Sequence, residues 1–111
     1  MEPKMELAAK KCIPCEGGTP PMGELEAKAL LKEVEEWQLL ENKIQKVFKF
    51  KDFKESMEFV NRVADLAEEE GHHPDILISW NKVTLNLTTH AIGGLSENDF
   101  IMAAKINKMR S

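Results

Sequence analysis

The sequence holds no apolar run of the roughly 20 residues that a bilayer-spanning helix needs, so no membrane segment is expected. The opening MEPKMELAAKK contains no long apolar core, which argues against a secretory leader and for a cytoplasmic protein. Positive charge is not in excess. Fifteen Lys and Arg face nineteen Asp and Glu, a net charge of −4, whereas a general nucleic-acid binder carries a basic footprint. The lysines of NKIQKVFKFKDFK sit on a strand-like pattern and are read as a solvated face that discourages edge pairing. Only two cysteines occur, Cys12 and Cys15 of CIPC. Such a pair can be half of a zinc site or a redox motif, but no second pair completes four thiolates and no βαβ pattern follows. The pair is read as reduced thiols on a flexible N-terminal arm, residues 1–23, whose EGGTPPMG stretch is loop-like. Removing that arm is expected to leave the chemistry intact.

What is present suits one globular domain over residues 24–111. Hydrophobic residues make up 42% and charged residues 31% of the 111, enough for one modest core. ELEAKALLKEVEEW carries Ala27, Leu30, Leu31 and Val34 at helical spacing, predicting a helix that ends near Trp37. WQLLEN and KIQKVFKF are strand candidates joined by a turn at Asn42-Lys43. Ile44, Phe48 and Phe50 share a face on which Lys46 is the exception. Asp52 is placed to cap a long helix, with a stripe of Phe53, Met57, Val60, Ala64 and Ala67 widened by Ser56, Phe59, Val63 and Leu66. Gly71 ends it. DILISW and KVTLNLTTH form a second hairpin around Asn81-Lys82, with Val83, Leu85 and Leu87 on one face and His90 on the polar side at the strand's end. After the glycine loop IGGL, Ser96 to Asp99 form a capping box for a last helix. The order α-β-β-α-β-β-α predicts an α+β fold, a four-stranded antiparallel sheet with helices packed on one face.

Histidine is scarce, three in all, and two stand together in EEEGHHPDILISW. Glu68, Glu69 and Glu70 fall in the last helical turn, where negative charge opposes the macrodipole. A carboxylate there can orient a nearby imidazole, while Glu69 and Glu70 are read as a solvated helix end. Pro74 holds the pair in a stiff extended link. Neighbours in extended geometry point opposite ways, so His72 and His73 should differ in role. His72, His73 and His90 could be a zinc site, although no carboxylate or cysteine completes a usual ligand spacing; three unrelated surface histidines are the other reading.

From Glu68 the chain reads Glu-x3-His-His-Pro-x5-Trp-x9-His-x8-Asp, ending at Asp99. This resembles the signature of the pterin-4a-carbinolamine dehydratases, a likeness extending through FKFKDFKESMEFVNRVADLAEEEGHHP and HAIGGLSENDF and covering about residues 24–109. Trp80 stands where many members have tyrosine. The resemblance implies a hydro-lyase that dehydrates 4a-hydroxytetrahydropterin to quinonoid dihydropterin and water, recycling pterin with no metal or other cofactor. It implies His72 and His90 as the acid–base pair and His73 as a pterin-positioning residue. Glu68 would support His72. Pro74, Trp80 and Asp99 would shape the site, Asp99 chiefly through the helix cap, and Thr88 and Thr89 would offer backbone contacts to the ring. Imidazoles titrate near ~6.5 when unperturbed and suit both proton transfers. The partners implied are a small-molecule pterin and a second copy, in a homodimer or homotetramer with Met57 and Phe59 at a helical interface, without nucleic acid or membrane. The alternatives are a non-catalytic dimerisation cofactor of a transcription factor, and a related pterin reaction in molybdopterin metabolism.

Overall fold

In the computed structural model, residues 6–13 and 20–110 are described. Cys15, and the arm reading as it concerns residues 1–5 and 14–19, lie outside them. Three helices and four strands follow in the order α1 (Glu24–Leu31), β1 (Gln38–Leu40), β2 (Lys43–Lys49), α2 (Phe53–Glu70), β3 (Asp75–Ser79), β4 (Lys82–Leu87) and α3 (Glu97–Arg110), with 3-10 turns at Leu7–Ala9 and His90–Ile92. The sheet is antiparallel, ordered β1-β2-β4-β3. The α+β architecture is therefore that expected from the alternation of hairpins and helices.

Register explains which face is buried. Ile44 pairs with Leu87, Lys46 with Leu85 and Phe48 with Val83. Ile44, Phe48, Val83, Leu85 and Leu87 form the sheet's contribution to the core, meeting Phe59, Val63 and Ala67 of α2 and Phe100 to Ala103 and Ile106 of α3. Helix α3 is buried on most sides because the Leu7–Ala9 turn packs on it in addition to β4 and α2.

Lys46, the exception on that face, is not solvated. Its Nζ donates to Asn107 Oδ1 at 2.8 Å and to Glu35 O at 3.2 Å, and lies 4.7 Å from the centre of the Phe48 ring. Burial pulls its pKa down. Partnering lets a cation stand among apolar neighbours.

Several boundaries differ from expectation. Helix α1 ends at Leu31; the chain then turns tightly, with Glu33 N–H donating to Leu30 O and Val34 N–H to Leu31 O, and Glu36 takes a left-handed φ of 65°. This bend lets both Val34 and Trp37 enter the core. Both hairpin turns fall one residue early, at Glu41-Asn42 and Trp80-Asn81. On α2 the inward stripe is Ser56, Phe59, Val63 and Ala67, while Phe53 and Ala64 are exposed. Phe59 therefore belongs to the core and not to an outer interface. Strand β4 stops at Leu87, and His90 begins a 3-10 turn. Parts of the expected arm are packed: Leu7 joins the core, Lys105 Nζ donates to Ala8 O at 2.9 Å, and Met22 N–H donates to Leu95 O at 2.8 Å.

Candidate active site

Helix α2 delivers the histidine pair. Asp52 caps its start by accepting from Glu55 N–H at 2.9 Å, and Gly71 closes its end at φ 66°, a left-handed conformation that glycine adopts at little cost. His72 N–H then returns to Ala67 O at 3.2 Å. The backbone leaves that turn extended toward Pro74, so the two imidazoles diverge. His72 turns inward, its side chain 12% exposed, and its Nε2 lies 2.6 Å from Asp99 Oδ1; His73 turns outward and its Nε2 lies 2.5 Å from Glu68 Oε2. Glu68 thus serves His73, and the carboxylate behind His72 is Asp99.

Asp99 is fully buried on the first turn of α3. Its Oδ2 accepts from Ser96 N–H at 3.0 Å, which is half of the expected capping box, and from Thr89 Oγ at 2.9 Å. The Ser96 hydroxyl is engaged with Thr89 Oγ at 2.7 Å instead of closing the other half. With Oδ1 on His72, one carboxylate ties the start of α3, the end of β4 and the end of α2 together. This arrangement fixes the imidazole's orientation, and it assigns the Nε2 proton to the Asp99 side when the ring is neutral, leaving Nδ1 as the acceptor.

His72, His73, Thr88, Thr89 and His90 line a single cleft of about 420 Å³. His90 is solvent-exposed, and among the described residues its side chain has no hydrogen-bond partner. The Thr89 side chain is occupied by Asp99 and Ser96, and its N–H donates to Gly94 O at 2.9 Å, so it braces the wall more than it presents groups to a ligand. Thr88 Oγ donates to Asn42 O at 2.5 Å. What approaches the glycine loop is Pro21: a Cβ on Gly94 would stand 2.7 Å from the proline Cβ. Trp80 lies at the β3–β4 turn with φ 50°, exposed, and is not among the cleft-lining residues. Pro74 links His73 to β3.

Six cleft-lining residues were given no part in the site by sequence reasoning: Cys12, Ile13, Glu70, Gly71, Ala91 and Asn98. Glu70 is not a solvated helix end. Its side chain is 6% exposed, 3.7 Å from Lys105 Nζ, and accepts from Cys12 N–H at 2.9 Å. The signal was available, since Glu70 continues the inward stripe three residues beyond Ala67. Asn98 Oδ1 accepts from Ile13 N–H at 3.0 Å and its Nδ2 donates to Ile13 O at 2.5 Å. Burial, with the Glu70 carboxylate beside it, pushes the Cys12 thiol up to about 12. Such a thiol is a poor nucleophile and a poor ligand at neutral pH.

Comparison with known proteins identifies the family. The sequence model of the family described as Pterin 4 alpha carbinolamine dehydratase matches residues 20–109. A protein of Nitrosomonas eutropha, provisionally named a pterin-4-alpha-carbinolamine dehydratase, is 51% identical over 105 residues, 94% of this chain and 93% of its own length. One from Alkaliphilus metalliredigens with the same provisional name is 50% identical over 107 residues, covering 95% of this chain and 96% of the relative. A crystal structure described as a transcriptional coactivator/pterin dehydratase from Brucella melitensis superposes with a TM-score of 0.78 at 33% identity, over 82% of this chain and 99% of that one. The chain belongs to the pterin 4 alpha carbinolamine dehydratase family.

Proposed function

We propose that the chain is a cytoplasmic hydro-lyase acting on 4a-hydroxytetrahydropterin, with 4a-hydroxytetrahydrobiopterin as the physiological form, to give quinonoid dihydropterin and water in pterin recycling. The observation that carries this reading is the convergence of His72, His73 and His90 on one cleft, with His72 held by a buried carboxylate. Family membership supports the reaction class.

The chemistry needs one proton delivered and one removed. The C4a–O bond breaks as the hydroxyl leaves as water after gaining a proton; N5 gives up its proton, and its electron pair forms the C4a=N5 bond. No electrons enter or leave. His72 suits the removal step, because the Asp99 carboxylate at Nε2 stabilises the imidazolium formed when Nδ1 takes a proton. His90, exposed at the start of its 3-10 turn, suits donation to the leaving hydroxyl. His73, paired with Glu68 at the rim, would bind and position the ring. A purely interacting protein would have no need of three imidazoles around one cleft. The test is stopped-flow absorbance on freshly generated 4a-hydroxytetrahydropterin. Micromolar protein should accelerate dehydration well beyond the spontaneous rate, and no acceleration would sink the reading.

Self-association as a homodimer or homotetramer accompanies this proposal. It is supported by β3, an edge strand with Ile76 and Leu77 exposed and Trp80 just beyond it.

A further inference from the structure

One wall of the cleft comes from outside the stretch that the family model matches: Cys12 and Ile13 precede residue 20. Two side chains fasten it through its backbone. Glu70 receives the Cys12 N–H, and the Asn98 amide takes both the N–H and the C=O of Ile13. Behind them, Leu7 is anchored in the core and Lys105 holds Ala8 O. Backbone fastening of this kind fixes the position of the residue at the cleft. That residue is an isoleucine, 70% exposed. Around it the lining is mostly imidazole, hydroxyl, amide and carboxylate, with Ala91 the other small apolar group. Ordering a chain segment costs conformational entropy, and burial of an isoleucine that stays 70% exposed recovers little of it. A reduced pterin has a polar edge that imidazoles and hydroxyls can meet and an apolar face that they cannot.

We propose that the Cys12–Ile13 strap is a wall of the substrate site, that Ile13 packs against the face of the pterin ring, and that Asn98 and Glu70 are positioning residues acting through the strap. The proposal rests on the dehydratase reading. It also reverses the expectation that the segment before residue 20 is dispensable.

The experiment uses the full chain and the variants Ile13→Ser, Ile13→Leu, Asn98→Ala and Ile13→Ser/Asn98→Ala. Uniform binding contacts appear in KM and not in kcat. Ile13→Ser should therefore raise KM about tenfold, as loss of most of one apolar side-chain contact implies, with kcat within about twofold of wild type. Ile13→Leu should restore KM. Asn98→Ala should raise KM similarly, and the double variant should be no worse than the worse single, because both remove the same wall. Amide hydrogen exchange supplies a readout free of turnover: the Ile13 N–H should be protected in wild type and in Ile13→Ser, and unprotected in Asn98→Ala. An unchanged KM in Ile13→Ser, or multiplying losses in the double variant, overturns the proposal.

Fluorescence titration with 7,8-dihydrobiopterin separates it from the reading beneath it. If wild type binds this pterin yet does not accelerate dehydration, the dehydratase reading fails, and the strap then stands if Ile13→Ser weakens binding and falls if it does not. A wild type that neither binds nor turns over overturns both.

Discussion

Asp99 accepts three hydrogen bonds in the interior, and they belong to different tasks. Ser96 N–H and Thr89 Oγ hold the start of α3 and the end of β4, while His72 Nε2 belongs to the cleft. In Asp99→Asn the amide oxygen would stay with the two fixed donors and the NH₂ would turn to His72. That forces Nε2 to accept and puts the ring proton on Nδ1, the nitrogen proposed to take the substrate's proton. The variant should fold and lose about 10²-fold in kcat, the low end of what general acid–base catalysis is worth, with the tautomer change visible in ¹⁵N shifts of the imidazole. Unchanged turnover with a swapped tautomer would contradict the assignment. At this scale the sequence was legible for residue identity and not for pairing. Spacing singled out Glu68, His72, His73, His90 and Asp99, but whether Glu68 meets His72 or His73 depends on how Gly71 turns the chain, which no spacing encodes. Cys12 shows the same limit. The folded thiol holds its proton up to about 12, above the ordinary thiol value of 9.0. The unfolded chain therefore releases that proton first, and rising pH between those values favours unfolding; below about 9 the effect is absent. At pH 8 alkylation of Cys12, mapped by mass spectrometry, should be at least about tenfold slower in the native chain than in urea. Equal rates would contradict burial of this thiol.

At the scale of elements, α2 acts as the arm that carries the histidine pair. Its cap residues were readable, because Asp52 and Gly71 are the residue types that such termini require. The length of α1 was not: ELEAKALLKEVEEW continues as a helical pattern, yet burying both Val34 and Trp37 requires the turn at residues 32–36. The hairpin turns shifted by one residue because strand pairing decides the register, and Trp80 accepts a left-handed φ to allow it. Gly71 tests the coupling of helix end to site. A Cβ there would meet nothing within 4 Å, so Gly71→Ala bears only the conformational penalty of φ 66°. That should amount to about 1–2 kcal/mol, or a fall of several degrees in Tm, since about 1 kcal/mol shifts a domain of this size by roughly 4–8 °C. If the chain relaxes instead, His72 rotates away from Asp99 and kcat falls with little change in Tm. A variant matching wild type in both would show that the cap does not aim His72.

Across the whole molecule, the two hairpins and the first two helices were readable from periodicity and the last helix from its capping box, whereas the packing of residues 6–13 onto α3 was not. Leu7, Ala8, Cys12 and Ile13 carry no repeating pattern; the places of the last three are set by Lys105, Glu70 and Asn98, which lie 58 to 97 residues further along the sequence. The exposed apolar edge at β3 belongs to this scale as well. Light scattering at micromolar concentration should give a dimer or a tetramer, and a monomer would contradict self-association. The cleft itself assembles the end of α2, the turn after β4, the first turn of α3 and the N-terminal strap. In the mechanism proposed above, His72 and His90 divide two proton transfers within one event. The most direct measurement is stopped-flow turnover of 4a-hydroxytetrahydropterin by wild type, His72→Ala, His90→Ala and the double variant, with thermal transitions confirming that each is folded. Each single change should slow turnover about 10²–10⁴-fold, and the double variant should fall well short of the product of the two losses. Wild-type rates in both single variants would contradict the claim and leave the domain a binding module.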